Sequence, residues 1–448
     1  MIYKMKKLNI YIALLLAVVS FSACDDYLDV KPKDRVIPET ADDFRALITS
    51  AYNGVPADKM RLTFRTDELK LDNSAWDLSG VKDIFLWNDV NSAANTVQFS
   101  YQSFYKAIMY ANHIIDEGVD ATKGSTEEID QIVGEAYLLR ALMHFNLVNQ
   151  YGLPYNASTA STDRGIPLSL KIDTEAEYVP NTVEEVYAQI TLDIDAAMSK
   201  INVDRYETGL NYRFSKLAAW ALKSRVYLYM GDFATAKTAA LEALAINSDL
   251  QDLVADASLA PHMYDAVESI LALETVFYSE IKSASLVSDK LLALYDQTND
   301  LRFGLYFSDE GAGNFKPNKG TESGSKCSFR NAEMYLTVAE AAAQTDDLEQ
   351  ARTYLNQLKE KRLLTDFYNT EVTRIAGLNK AELIAEIANE RFREFAFEGQ
   401  RWFDLRRTTQ EQIEHSYQGE SATLQVGDPR YTLRFPQEAV DNNPNLNN

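Results

Sequence analysis

The sequence predicts a mostly α-helical fold: about four helix hairpins that carry long irregular loops and a few short strands. Three observations predict it. Apolar residues recur at helical spacing through long stretches, Phe99 to Glu117 and Thr126 to Tyr151 among them. A short pattern repeats, Asp232-Phe233-x-x-Ala236-Lys237 and Asp347-Leu348-x-x-Ala351-Arg352, each copy following an Ala-rich helical stretch. The composition, 46% hydrophobic and 25% charged over 448 residues, is that of a soluble globular chain long enough for one large helical body.

The chain opens with Lys4, Lys6 and Lys7, then an uninterrupted apolar run from Ile10 to Val19. That run is too short to span a bilayer, which takes about 20 residues, and fits a signal peptide over residues 1–23. Phe21-Ser22-Ala23-Cys24 resembles the bacterial lipobox, which implies cleavage before Cys24 and acylation of its thiol. An acidic run, Asp25, Asp26 and Asp29, follows. The formal net charge of −22 then becomes about −25 through loss of the three lysines. A surface this acidic argues against nucleic acid or anionic lipid as partner.

Tyr27 to Thr40 holds two prolines and mixed charge and reads as an extended arm. Thr40 caps a helix from Ala41 to Tyr52, with Asp42 and Asp43 in its first turn. Gly54 to Thr96 is irregular, rich in Asp, Asn and Ser, and carries Trp76 and Trp87. The helix predicted over Phe99 to Glu117 contains Tyr105, Ile108, Ala111, Asn112, Ile114 and Ile115. The next, Thr126 to Tyr151, stops at Gly152 with Pro154 beyond. Residues 153–180 form a loop. Thr182 starts another helix with Val183, Val186, Ile190, Ile194 and Ala197 as its stripe, and Asn211 to Leu244 is a helix pair broken at Gly231-Asp232.

A small or acidic break followed by x-x-x-Ala is how tetratricopeptide-type hairpins turn. Between the two copies lie Asp300-Leu301-Arg302, the aromatics Tyr278, Phe303, Tyr306, Phe307 and Phe315, and a Gly/Ser/Lys/Asn-rich loop from Glu310 to Lys326. A last amphipathic helix contains Leu383, Ile387, Phe392 and Phe395, and Gly399 stands where a left-handed cap would end it. Tyr431 to Pro436 reads as an extended tail.

Glu390 to Arg407 interleaves charges with apolar residues. Glu398 near the negative end of a helix needs a cation, and Arg401 and Arg391 are the nearest. The segment reads as a buried ion network of Arg391, Glu394, Glu398, Arg401 and Asp404 that pins the tail to the helical body and favours one arrangement.

No catalytic constellation emerges. His113, His144, His262 and His415 are scattered without ligand spacing. Gly320 to Lys326 misses the P-loop spacing by one residue. Cys327 stands alone, no Gly-x-Ser-x-Gly elbow exists, and the acids between 67 and 91 are too loosely spaced for a calcium loop. No metal or cofactor is expected. Aromatics on loops remain. An aromatic plane can cover the apolar face of a sugar ring while Asn, Asp or Arg takes its hydroxyls. Trp76 beside Asn73 and Asp77 has this composition, as does Trp87 beside Asn88.

The Glu-Arg-x-x-Glu-x-x-x-Glu-Gly-x-Arg-x-x-Asp-Leu-x-Arg run at Glu390, Arg391, Glu394, Glu398, Gly399, Arg401, Asp404, Leu405 and Arg407 resembles the C-terminal signature of the SusD/RagB family of outer-membrane nutrient-binding lipoproteins. The resemblance extends to the Tyr27-Leu28-Asp29 opening and the first helical hairpin. It implies a domain over 24–448, divided near residue 210, on four tetratricopeptide-like hairpins. It also implies a non-enzymatic, lipid-anchored surface protein. Such a protein binds a glycan for a SusC-like, TonB-dependent outer-membrane transporter. Peptide capture of the RagB kind and a helical scaffold without ligand are the alternatives. Ligand contacts are expected at Asn73, Trp76, Asp77, Trp87 and Asn88, and further on at Tyr278, Tyr306 and Phe315.

Overall fold

The computed structural model describes residues 38–446 except Trp76, Thr174, Phe277 and 320–323. The signal peptide, Cys24, the acidic run, the Tyr27 arm up to residue 37 and Trp76 lie outside the described residues. Helices dominate, and among the described residues the strands form four two-stranded antiparallel sheets. The fold class is as predicted.

The first helix, Ala41–Asn53, starts in a full capping box: Thr40 accepts from the Asp43 amide while the Asp43 carboxylate accepts from the Thr40 amide. Tyr101–Glu117 and Thr126–Tyr151 pack as a hairpin, and Val183–Met198, opened by a second capping box at Thr182 and Glu185, packs on the latter. Lys216–Met230 pairs with Phe233–Ile246, and Asn331–Gln344 with Leu348–Glu360.

The repeat marks both of these turns. Gly231 takes φ +74° and Asp232 caps the next helix through its carboxylate, which accepts from Thr235. In the second copy Asp346 takes the left-handed position at φ +66°, and Asp347 is the cap. The two hairpins stack through the 233–246 and 331–344 helices. Lys237 reaches Asp347 at 4.0 Å, which ties the copies together.

Several boundaries differ from the sequence reading. The predicted Asn211 start becomes Lys216, because Ser215 caps there. The last long helix, Lys380–Glu394, ends before Gly399, and the chain continues in turns through Phe397 (φ +54°) and Gly399 (φ +70°) to a short helix at Arg401–Arg407. The tail around Tyr431 is a 3₁₀ turn, with the Leu433 amide donating to the Gln150 carbonyl at 2.8 Å. The irregular 54–96 stretch contains a 3₁₀ segment, a three-residue strand (Leu69–Leu71) and a short helix (Ser79–Phe85). The hairpin Ile413–Tyr417/Glu420–Leu424 was not foreseen.

At the centre of the C-terminal half lies a fully buried ion cluster. Glu394 accepts from Arg302 (2.8 Å), Arg330 (2.5 Å) and Arg362 (2.8 Å). Glu268 joins Arg330 to Arg362, and Asp300 and Glu390 hold Arg302. Burial alone would raise the Glu394 pKa, but the three guanidiniums hold it well below the carboxylate range. The partners of Glu398 are Arg330 at 2.9 Å and Lys319 at 2.6 Å, not Arg401 or Arg391. Arg401 instead grips Asp67 at 2.8 and 2.7 Å, and Arg391 pairs with Asp404, which also meets Arg407. Sequence neighbours were a poor guide because Glu390, Glu394 and Glu398 face cations brought in by other elements.

Candidate functional site

Strand Leu69–Leu71 pairs antiparallel with Ser285–Val287 and carries the loop beginning at Asp72. The Asp72 amide donates to the Ala284 carbonyl at 2.8 Å, and its carboxylate meets Lys316 at 3.4 Å on the Phe307–Gly311/Asn314–Pro317 hairpin. Three chain segments distant in sequence therefore converge. Ala75, Tyr278 and Phe315 all pack half-buried against one apolar cluster built on Phe64, Leu71, Phe303 and Phe307.

In the loop that follows Asp72, Asn73 and Asp77 are exposed. The Asp77 carboxylate accepts from the Ser79 amide and hydroxyl, which holds it below its ordinary pKa and fixes its direction. Tyr278 meets the Phe64 ring edge-on, and the Arg61 guanidinium lies 5.4 Å from its ring centre. Phe315 meets Phe303 edge-on at 5.1 Å. Asn73 and Asp77 therefore flank Ala75, which shares its apolar cluster with Tyr278 and Phe315.

Two predicted aromatics are buried. Trp87 is 2% exposed. Its indole N–H donates to the Arg65 carbonyl at 3.1 Å and its ring stacks on His415 at 4.2 Å, with Phe85 on the opposite side of that imidazole. A ring so covered has no face left for a sugar, so Trp87 is a core anchor. Asn88 beside it spends its amide on Asp83 and on the Asn91 carbonyl, closing its own loop. Tyr306 is 0% exposed and lies under the Lys319 ammonium, 3.7 Å from the ring centre, at the edge of the ion cluster. Burial pushes its hydroxyl far above the usual range.

A second feature escaped the sequence reading. A cleft of about 900 Å³ opens where the 101–117 helix, residues 167–173 with Tyr178, and the 436–446 tail meet. Phe99, Tyr101, Tyr105, Met109, Ile172 and Tyr178 give it apolar surface, and Gln98, Gln102, Ser169, Lys171, Asp173 and Asn442 give it polar groups. The Tyr105 hydroxyl donates to the Pro167 carbonyl at 2.9 Å, which holds its ring, and the Asn443 amide donates to the Tyr178 backbone carbonyl at 2.7 Å, which ties the tail to the loop. The signal was present in the sequence. Tyr101, Tyr105 and Met109 recur every four residues along one stripe of a helix whose other stripe is core.

Two family models match the chain. One, "Starch-binding associating with outer membrane", matches residues 26–228, and the other, "SusD family", matches residues 297–448. The chain belongs to the SusD/RagB family. Among curated relatives, SusD-like protein P38 of Formosa agariphila is 24% identical and SusD-like protein P2 of the same organism 25%; the alignments cover 90% of this chain and 92% and 91% of those proteins. Among solved structures, a SusD superfamily protein from Bacteroides thetaiotaomicron superposes with a TM-score of 0.76 at 21% identity, covering 91% of this chain and 99% of that one. A laminarin-binding SusD-like protein superposes with a TM-score of 0.60 at 19% identity, covering 83% and 92%. Asn73, Asp77 and the helix wall of the cleft fall in the first matched stretch of this SusD/RagB protein, and Phe315 in the second. Tyr278 lies between the two.

Proposed function

We propose that this SusD/RagB protein is a lipid-anchored, surface-exposed outer-membrane receptor. It acts by binding rather than catalysis, capturing a glycan on the loop face and delivering it to a SusC-like, TonB-dependent transporter. The glycan assignment is carried by half-buried Tyr278 and Phe315, which share an apolar cluster with Ala75 of the loop that exposes Asn73 and Asp77. Aromatic planes stack on the apolar faces of sugar rings, and a fixed carboxylate and an amide take hydroxyls. Trp76 stands in the same loop sequence. The starch-binding description of the matching family and the laminarin-binding structural neighbour support a carbohydrate ligand.

Affinity electrophoresis against starch, laminarin, xylan, mannan and pectin tests the reading. Retardation by at least one polysaccharide is expected, and loss of it in Tyr278→Ala and Phe315→Ala. Indifference to every polysaccharide, with capture from a peptide library instead, would replace glycan by peptide. Tagged protein purified from its own outer membrane is expected to bring down a TonB-dependent transporter, and palmitate labelling is expected to require Cys24.

A further inference from the structure

The cleft beside the Tyr101–Met109 stripe is not part of the loop face, yet one side chain joins them. Arg61 is paired with Asp58 at 2.7 Å and donates to the carbonyl of Gln98, on the cleft wall, at the same distance. Its guanidinium also lies over the Tyr278 ring. Asp58 is 1% exposed and accepts in turn from the amide and hydroxyl of Ser100, another wall residue. One guanidinium nitrogen is therefore shared between Asp58 and the cleft wall, and the Tyr278 ring sits one side chain from that wall.

We propose that the cleft is a second carbohydrate subsite, continuous with the loop face across Arg61, and that the protein grips an internal stretch of a neutral polysaccharide rather than a chain end. This rests on the carbohydrate reading above. A cavity of about 900 Å³ lies at the upper end of the size range for small-ligand sites, roughly 300–1,000 Å³, and holds several sugar units. Its lining alternates rings with amides and hydroxyls. Its few charges, Lys171 against Asp173 and Glu438, are of mixed sign, and the chain as a whole carries −22, which disfavours a polyanionic glycan. The Tyr105 ring is held before ligand arrives by Pro167, and the Tyr178 backbone by Asn443, so little ordering is needed on binding. Two subsites on one rigid surface multiply for a ligand long enough to reach both.

The experiment uses the full mature protein and oligosaccharides, graded from the disaccharide upward, of whichever panel polysaccharide retards it. Calorimetry is expected to show affinity rising with length in two stages. Met109→Lys and Tyr178→Ala, both at solvent-facing positions, are expected to remove the second stage. Each should lower long-chain affinity about tenfold, the scale of one aromatic contact, and leave short oligosaccharides bound as before. Tyr278→Ala should weaken short and long chains alike. A single-stage length dependence with both cleft variants binding like wild type would overturn the second subsite and leave the loop-face reading standing. Failure of every polysaccharide to bind would remove both.

Discussion

Replacing Glu394 by Gln tests whether the buried ion cluster holds the C-terminal half together. The two side chains have nearly the same shape, so the change removes charge with little change in packing. Glu394 is 0% exposed and receives three guanidiniums, none exposed by more than 1%. After substitution Arg302 keeps Asp300 and Glu390, and Arg330 keeps Glu398. Arg362 is left to share Glu268 with Arg330. One buried cation is then undercompensated, and breaking such a pair costs about 3–5 kcal/mol. Unfolding entropy of about 2 cal/mol/K per residue over the roughly 400-residue unit converts this to a fall in Tm of about 4–6 °C. Differential scanning calorimetry of Glu394→Gln beside Glu414→Gln, an exposed carboxylate on the 413–417 strand, reads it directly. The control is expected within about 0.5 kcal/mol of wild type. A Glu394→Gln melt indistinguishable from the control would refute the argument, because the cluster would then contribute nothing beyond packing.

Other expectations follow from the same geometry. A Cβ on Gly399 would stand 2.6 Å from the Lys59 carbonyl at φ +70°, whereas the Cβ of an alanine at Gly231, φ +74°, meets nothing. Gly399→Ala should cost about 3 kcal/mol or more and Gly231→Ala about 1, read by urea denaturation; equal costs would refute the close approach. Burial lowers the Lys319 pKa to about 8, below its ordinary value, so the folded state loses that proton first. The unfolded chain then binds more protons above pH 8, and the stability of wild type relative to Lys319→Met should rise between pH 8 and 9.5. Burial alone would raise Asp67 and Glu398, but Arg401 and Lys290, and Arg330 and Lys319, hold them down at about 2. Their stabilisation is present above the ordinary carboxylate range and should be lost as pH falls from about 4 toward 2, seen as loss of near-ultraviolet dichroism.

What was legible in the sequence was local. Thr40 and Thr182, each followed three residues later by an acid, announced their helices, and Asp232 and Asp347 announced two hairpin turns, because a cap is made by residues within one turn. What was not legible depends on distant partners. Trp87 sits among Asn88, Asp89 and Asn91 and looks like a loop aromatic, yet His415, more than three hundred residues later, covers its face. Glu398 looked to Arg401 three residues away, while its cations come from Arg330 and Lys319. Tyr278 and Phe315 gained their setting only through the pairing of residues 69–71 with 285–287 and the Lys316–Asp72 contact.

Every guanidinium that surrounds Glu394 precedes it in the chain. A chain that ends before the 380–394 helix would keep Arg302, Arg330 and Arg362 with only Asp300 and Glu268 to share among them. Late residues thus balance charge set down much earlier, and a product clipped before them is expected to stay open.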